Sequence, residues 1–247
     1  MTSVPESANE ITGKVRGSGA IGLTESLIVA VIMALIIKTS IVEAYKIPSG
    51  SMEDTLLVGD FLLANKFVYG MTLPIPFFDI RLPAIEDPKP GDIIIFKYPE
   101  NPKINFIKRC IASGGQTVEI KNKQVYVDGE LVPMPPDGKH TDDRIIPYRE
   151  NVYGGDRDNL PPTVVPEGYL FVMGDNRDNS SDSRFWGFLD KHLVTARALM
   201  VHWSWAPDPN SPSIVATDPF SYPKWFAYNA VHFPSRVRWG RLAHIIY

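Results

Sequence analysis

Asn105-Phe106-Ile107-Lys108-Arg109-Cys110-Ile111 decides the fold. Aromatic and β-branched residues surround a Lys-Arg pair, and the segment reads as a strand. Alternation puts Phe106, Lys108 and Cys110 on one face and Ile107, Arg109 and Ile111 on the other. Lys108 then has apolar neighbours, and burying an amine disfavours its charged form and lowers its pKa. The full expected strand is 104–112. Upstream, Pro90-Gly91-Asp92 turns into the strand Ile93-Ile94-Ile95-Phe96, and Phe61–Lys66 and Ala44–Ile47 read as earlier strands. Downstream, Val118–Lys121 and Gln124–Val127 flank Asn122-Lys123 as a hairpin, and Asp128-Gly129 makes the next turn. Tyr169–Met173 and Leu193–Trp203 complete the set.

Composition agrees with a β-rich chain. Its 247 residues include 22 prolines and 18 glycines, a density that favours strands and loops over long helices. No long amphipathic helix is expected after residue 45. The net charge of −3, from 28 acidic and 25 basic residues, comes without a basic stripe and argues against a nucleic-acid partner. Cys110 is the only cysteine, so no intrachain disulfide forms, and its place in a strand makes it core filler.

The N-terminal region contains an uninterrupted apolar run, Leu27–Ile37. Extended backward past Glu25, it approaches the ~20 residues that a membrane helix needs. A single span is expected, with a buried core helix or a membrane-surface helix as alternatives. Lys14 and Arg16 precede the run and place the short tail inside. Leu73–Phe78, in a proline-rich loop over 72–90, is apolar enough to suggest contact with lipid. The C-terminal stretch 220–247 mixes Trp225 and Trp239 with Arg236, Arg238 and Arg241, which suits either lipid headgroups or ordinary packing.

Three segments carry candidate chemistry. Lys108, if neutral, can accept a proton from a serine hydroxyl. Ser51 lies in the turn Pro48-Ser49-Gly50-Ser51-Met52, where Gly50 frees the backbone and Pro48 stiffens the approach. This turn is unlike the Gly-x-Ser-x-Gly elbow of esterases. Gly174-Asp175-Asn176-Arg177-Asp178-Asn179-Ser180-Ser181-Asp182-Ser183-Arg184 packs three aspartates, two arginines and three serines into eleven residues. Such a loop can satisfy itself through paired charges. It lacks the spacing and terminal glutamate of a calcium-binding EF-hand, so no metal site is expected. His140, His192, His202, His232 and His244 show no metal-ligand spacing and read as structural.

Taken together, these segments resemble the bacterial type I signal peptidases, the leader peptidases. The resemblance runs through Ile47–Met52, Thr55-Leu56, Gly59-Asp60, Gly91-Asp92, Ile107-Lys108-Arg109 and Gly174–Gly187, in the family's order. It implies a mainly β fold: an antiparallel β catalytic domain with a smaller β/loop insertion, preceded by one N-terminal transmembrane helix. The expected divisions are a cytoplasmic tail over 1–20 and a transmembrane anchor over 21–43. The catalytic domain follows at 44–115 and 167–205, the inserted lobe at 116–166, and an aromatic and basic tail at 206–247.

The resemblance also implies roles. Ser51 matches the nucleophile and Lys108 the general base. Ser49 matches an oxyanion donor and Ser180 the hydroxyl that orients the lysine. Arg109 would pair with Asp175 and Asp182 with Arg184 in support. Substrate would lie along Glu43, Ala44, Tyr45, Lys46 and Ile47 and along Asn105, Phe106 and Ile107. The implied reaction removes signal peptides from exported preproteins after small residues, without a cofactor. Implied partners are signal peptides and membrane lipid, with no stable protein partner. The implied place is the cytoplasmic membrane of a bacterium, single-pass, with the N-terminus inside and the catalytic domain on the outer face. Two departures stand out: Asp54 where the family commonly has proline, and Ala112-Ser113-Gly114-Gly115-Gln116 where it usually has Gly-x-Pro-Gly-Asp. Rival readings are a Ser-Lys protease of the self-cleaving repressor type, or a non-enzymatic envelope scaffold.

Overall fold

The computed structural model describes residues 18–36, 42–70, 72–75, 78–149 and 157–246. Its centre is an antiparallel sheet. β1 (Val42–Lys46) pairs with β2 (Asp60–Asn65), whose other edge takes the long β13 (Val194–Ser204). β13 pairs onward with β5 (Ile93–Tyr98), and β5 with β6 (Asn101–Ser113). β11 (Tyr169–Met173) joins β6 only along Arg109–Ser113, and β12 (Leu189–Asp190) closes that end. A short β14 (His244–Ile245) pairs with β13 off this path.

Alternation along β5 and β6 sorts side chains into separate cores. Ile93, Ile95 and Ile107 pack with Met52, Leu56 and Leu62. Ile94, Phe96 and Cys110 pack with Leu170 and Val172, and Phe106 lies against that cluster. Cys110 is buried, as its place in the strand predicts, and burial pushes its thiol up to about 12.

A second sheet runs β10 (Leu160–Val164), β7 (Thr117–Lys121), β8 (Gln124–Val127) and β9 (Glu130–Leu131). Asn122 and Lys123 join β7 to β8 with φ of 48° and 71°, and Asp128 and Gly129 join β8 to β9 with 52° and 84°. Paired left-handed residues give the turn twist that matches two strands, and Asn-x and Asp-Gly sequences favour it. Val118, Ile120 and Val125 of this sheet share a core with Phe171 and Met173 of the first.

Two readings of loop and tail differ from the structure. The proline-rich stretch contains a hairpin, β3 (Thr72–Ile75) with β4 (Phe78–Arg81). Pro76, Phe77 and the side chains of 71–81, where lipid contact was expected, lie outside the described residues. The tail contains α3 (Ser221–Val231) and the short α4 (Phe233–Arg236), although no long helix was expected there. Its arginines make protein contacts. Arg236 donates to the Ala206 carbonyl at 3.0 Å, and Arg238 and Arg241 reach the buried Asp60 at 3.4 and 2.6 Å.

The expected transmembrane anchor requires correction. Among the described residues no helix is long and apolar enough to cross a membrane. α1 covers Ser18–Ile36, but Gly22, Thr24, Glu25 and Ser26 interrupt its first half. Its continuous apolar part begins at Leu27 and extends roughly 15 Å, about half a hydrocarbon core. The end of the expected 21–43 span belongs to the sheet, since Val42 and Glu43 pair with Asn65 and Ala64. Among the described residues the fold is therefore mainly antiparallel β, without the expected transmembrane helix. The single-pass placement, with a cytoplasmic N-terminus and an outer-face domain, falls with it.

Candidate active site

The turn bearing Ser51 is one 3-10 turn, Gly50–Met52, entered from an extended Ser49. Met52 and Leu56 are fully buried and anchor the turn in the core below β5 and β6. From β6, Lys108 reaches it directly: Lys108 Nζ donates to Ser51 Oγ at 2.7 Å and to the Ile107 carbonyl at 3.1 Å. Lys108 is 3 % exposed and Ser51 8 %. Burial pushes the Lys108 amine down to about 8, Asp182 and Asp175 raise it, and Arg184 lowers it. About a tenth of the amine is therefore neutral at pH 7 and about half at pH 8. The Phe106 ring centroid lies 5.2 Å from Nζ, adding an apolar wall.

The neighbouring side chain is tied to the same turn by another route. Arg109 holds Asp175 through two bonds of 2.9 and 2.8 Å and donates to the Gly91 carbonyl at 2.7 Å. Asp175 also accepts from the hydroxyl of Thr55 at 2.7 Å. Lys108 thus reaches Ser51 directly, whereas Arg109 reaches the 51–55 segment only through Asp175 and Thr55.

Residues 174–184 wrap this centre. Asn176 N–H donates to the Ser51 carbonyl at 3.1 Å, and its side-chain amide donates to the Gly50 carbonyl at 3.1 Å. Asp182 caps α2 (Ser183–Trp186), accepts from Gly174 N–H at 3.0 Å and holds Arg184 at 2.8 Å. Burial pushes the Asp182 carboxyl up, but Arg184 and the donated bonds outweigh it and hold the pKa below the usual range. A Cβ on Gly174 would collide with Ser180 Oγ and the Ser51 carbonyl. Only glycine permits this approach. Ser180 Oγ is close enough to Asp182 to lower its pKa, but it is buried and among the described residues meets no partner in hydrogen-bond geometry.

Ser49 is exposed just before the turn. Glu43, Ala44, Tyr45 and Lys46 lie on β1, an edge of the main sheet, with Ile47 buried just beyond it. Asn105, Phe106 and Ile107 pair with β5 on one side only, because β11 begins its pairing at Arg109. Among the described residues both segments therefore present an unpaired strand edge.

Sequence reasoning passed over several residues that shape the site. Thr55, Asn176 and Gly174 were visible in the motifs, but without roles. Lys139 gave no signal: its N–H donates to the Asp175 carbonyl at 3.0 Å, and Nζ pairs with Glu53 at 3.1 Å and Asp54 at 2.9 Å. Asp54 has φ 78°, a left-handed conformation that aspartate tolerates and proline cannot adopt. The departure from the family's common proline thus goes with the backbone found here.

A family model described as signal peptidase, peptidase S26, matches residues 20–203. The chain belongs to the signal peptidase family. It is 39 % identical over 201 residues to Signal peptidase I of Pseudomonas aeruginosa, a match covering 72 % of this chain and 70 % of that one. It is 38 % identical over 224 residues to Signal peptidase I of Aquifex aeolicus, covering 72 % and 82 %. It is 37 % identical over 180 residues to Probable signal peptidase I-1 of Synechocystis, covering 70 % and 77 %. The matched region takes in both the Ser51 turn and the 174–184 loop. The chain is a serine protease of the signal peptidase I type.

Proposed function

We propose that this signal peptidase family member cuts signal peptides from exported preproteins through an acyl-enzyme formed on Ser51, with Lys108 as general base. The observation that carries the reading is the buried 2.7 Å contact between Lys108 Nζ and Ser51 Oγ. A protonated amine can only donate across it; once neutral, the amine accepts, and the Ser51 O–H donates. Burial supplies the neutral form near pH 8. Ser51 Oγ attacks the scissile carbonyl while its proton passes to Lys108, forming a tetrahedral oxyanion. Ser51 N–H and Ser49 Oγ stabilise that charge. Lys108 gives the proton to the leaving amine, then takes one from the water that attacks the ester, and Ser51 is regenerated.

Ser180 steers the amine once the Ser51 contact breaks; its buried, unpartnered hydroxyl supports this role. The Arg109–Asp175 and Asp182–Arg184 pairs hold the frame. Substrate lies extended between the free edges of β1 at Glu43–Ile47 and β6 at Asn105–Ile107. Backbone bonding there is independent of sequence and leaves selection to side-chain pockets, which accept small residues before the cut.

The test is incubation of the purified protein with a preprotein and location of the cut by mass. The expected product ends in a small residue, and Ser51→Ala yields none. Processing by Ser51→Ala at the wild-type rate would overturn the mechanism.

A further inference from the structure

Around the 174–184 loop the buried guanidinium groups of Arg109, Arg177 and Arg184 lie among three carboxylates whose side chains are buried, Asp175, Asp178 and Asp182, and Lys123 takes Asp178. Arg109 takes Asp175 and Arg184 takes Asp182. Arg177 is 3 % exposed and makes no ion pair among the described residues. Its Nε is buried without a hydrogen-bond partner, and Nη1 meets only the Met173 sulfur at 3.5 Å. Burial, then Arg184, pushes its pKa down to about 10, so it remains charged at neutral pH. Asp175 and Asp182 attract it from a distance, but neither pairs with it directly, and a buried cation without a paired carboxylate is costly.

Arg177 lines a cavity of about 440 Å³ between the 174–184 loop and the second sheet. One wall is apolar, with Val125, Leu131, Val132, Met134 and Ile145. The Arg177 side chain runs to Met173, which shares a core cluster with Val125 and Val132. Most other charges of the cavity are already paired. Lys123 and His140 hold Asp178 at 3.0 and 3.4 Å, and Asp142 holds Arg144 and Arg157 at 2.9 and 3.0 Å. Asp143 is exposed. Neither Ser51 nor Lys108 lines the cavity.

We propose that this cavity binds a carboxylate carried on an apolar group, with Arg177 as its counter-ion and the Leu131–Met134 wall receiving the hydrocarbon. A carboxylate is the strong charge-assisted partner of a guanidinium, and one bound in the cavity would supply the ion pair that Arg177 does not make among the described residues. An apolar wall beside one charged group is the pattern of a site for an amphiphilic acid. A free peptide end with an apolar last residue and a short acyl chain share this chemistry.

The probe is octanoate, titrated calorimetrically into the full chain, with octanol as the neutral control and inorganic phosphate as the anion without a tail. Octanoate should bind saturably at one site, and octanol and phosphate at least about tenfold more weakly. Arg177→Gln should weaken octanoate by about tenfold or more. Leu131→Glu puts a like charge on the exposed part of the wall and should do the same in a protein whose melting is unchanged. Leu131→Glu therefore decides the matter if Arg177→Gln fails to fold. Absence of saturable octanoate binding, equal binding of phosphate, or undiminished binding by Leu131→Glu would overturn the proposal. A decapeptide ending in leucine, with and without a C-terminal amide, separates peptide end from acyl chain: the free acid competing with octanoate assigns the former.

Discussion

Replacing Lys108 by methionine should make the protein more stable while removing its activity. The side chain is 3 % exposed, and burial pushes its pKa from 10.5 to about 8. Between those values the unfolded lysine binds a proton that the folded one lacks. This contribution therefore makes stability rise with pH from about 8 to 10.5, and below about 8 the whole penalty stands. Its size is roughly 3 kcal/mol. Methionine removes the charge and keeps most of the volume. It forfeits the bonds to Ser51 Oγ and the Ile107 carbonyl, an offset of about 2 kcal/mol for the two. The net gain at pH 7 is about 1 kcal/mol, or roughly 2–4 °C in Tm for a chain of this size. Thermal melts followed by circular dichroism at pH 7, 9 and 10.5 would read it. The advantage of Lys108→Met should be largest at pH 7 and gone by pH 10.5. A variant less stable than wild type at pH 7, or a gain that does not change with pH, would refute the claim that Lys108 is buried against its charge.

Four further outcomes follow from the same geometry. Asp175→Ala leaves Arg109 buried without its carboxylate and should cost about 3–5 kcal/mol in chemical denaturation, with Asp175→Asn recovering part. Gly174→Ala forces Ser180 and the Ser51 carbonyl apart; preprotein processing should fall by about a hundredfold, the scale of an ångström-sized misplacement of the nucleophile. Ser180→Ala removes a buried hydroxyl that lies beside Asp182 but meets no partner in hydrogen-bond geometry among the described residues; stability should change by no more than about 1 kcal/mol while kcat falls, a split that a purely structural serine would not produce. Asp54→Pro cannot adopt φ 78° and should lower stability by about 2 kcal/mol or more, whereas Asp54→Gly should not.

Period-two alternation made most of the main sheet legible. Tyr169–Met173 was bounded from its apolar run, and Ile93–Phe96 and Val118–Lys121 fell within a residue or two of their strands. Each is flanked by turn residues and buries at least one face, so pattern and packing agree. The hairpin of β3 and β4 was hidden because Pro74 lies inside a strand, where proline ordinarily argues against one. α3 was hidden for the opposite reason. Tyr222, Phe226 and Val231 remain exposed, so its apolar residues do not mark one buried stripe. The N-terminal apolar run misled because hydrophobicity fixes neither length nor partner, and Val42, inside the expected 21–43 span, pairs with β2.

At the site, Ser51 and Lys108 are 57 positions apart, and only the motif resemblance linked them before the structure placed them in contact. The contributions of Thr55, Asn176 and Lys139 could not be read in advance. They act through backbone groups and through partners more than 30 positions away, for which a single sequence carries no local pattern.

The most direct measurement is the titration of Lys108 itself. In protein carrying lysine labelled at the ε-carbon, the resonance lost in Lys108→Met identifies the residue, and its shift is followed against pH. A midpoint of about 8 is what the buried contact with Ser51 predicts. A Lys108 midpoint near 10.5 would leave Ser51 without a base at neutral pH and contradict the account.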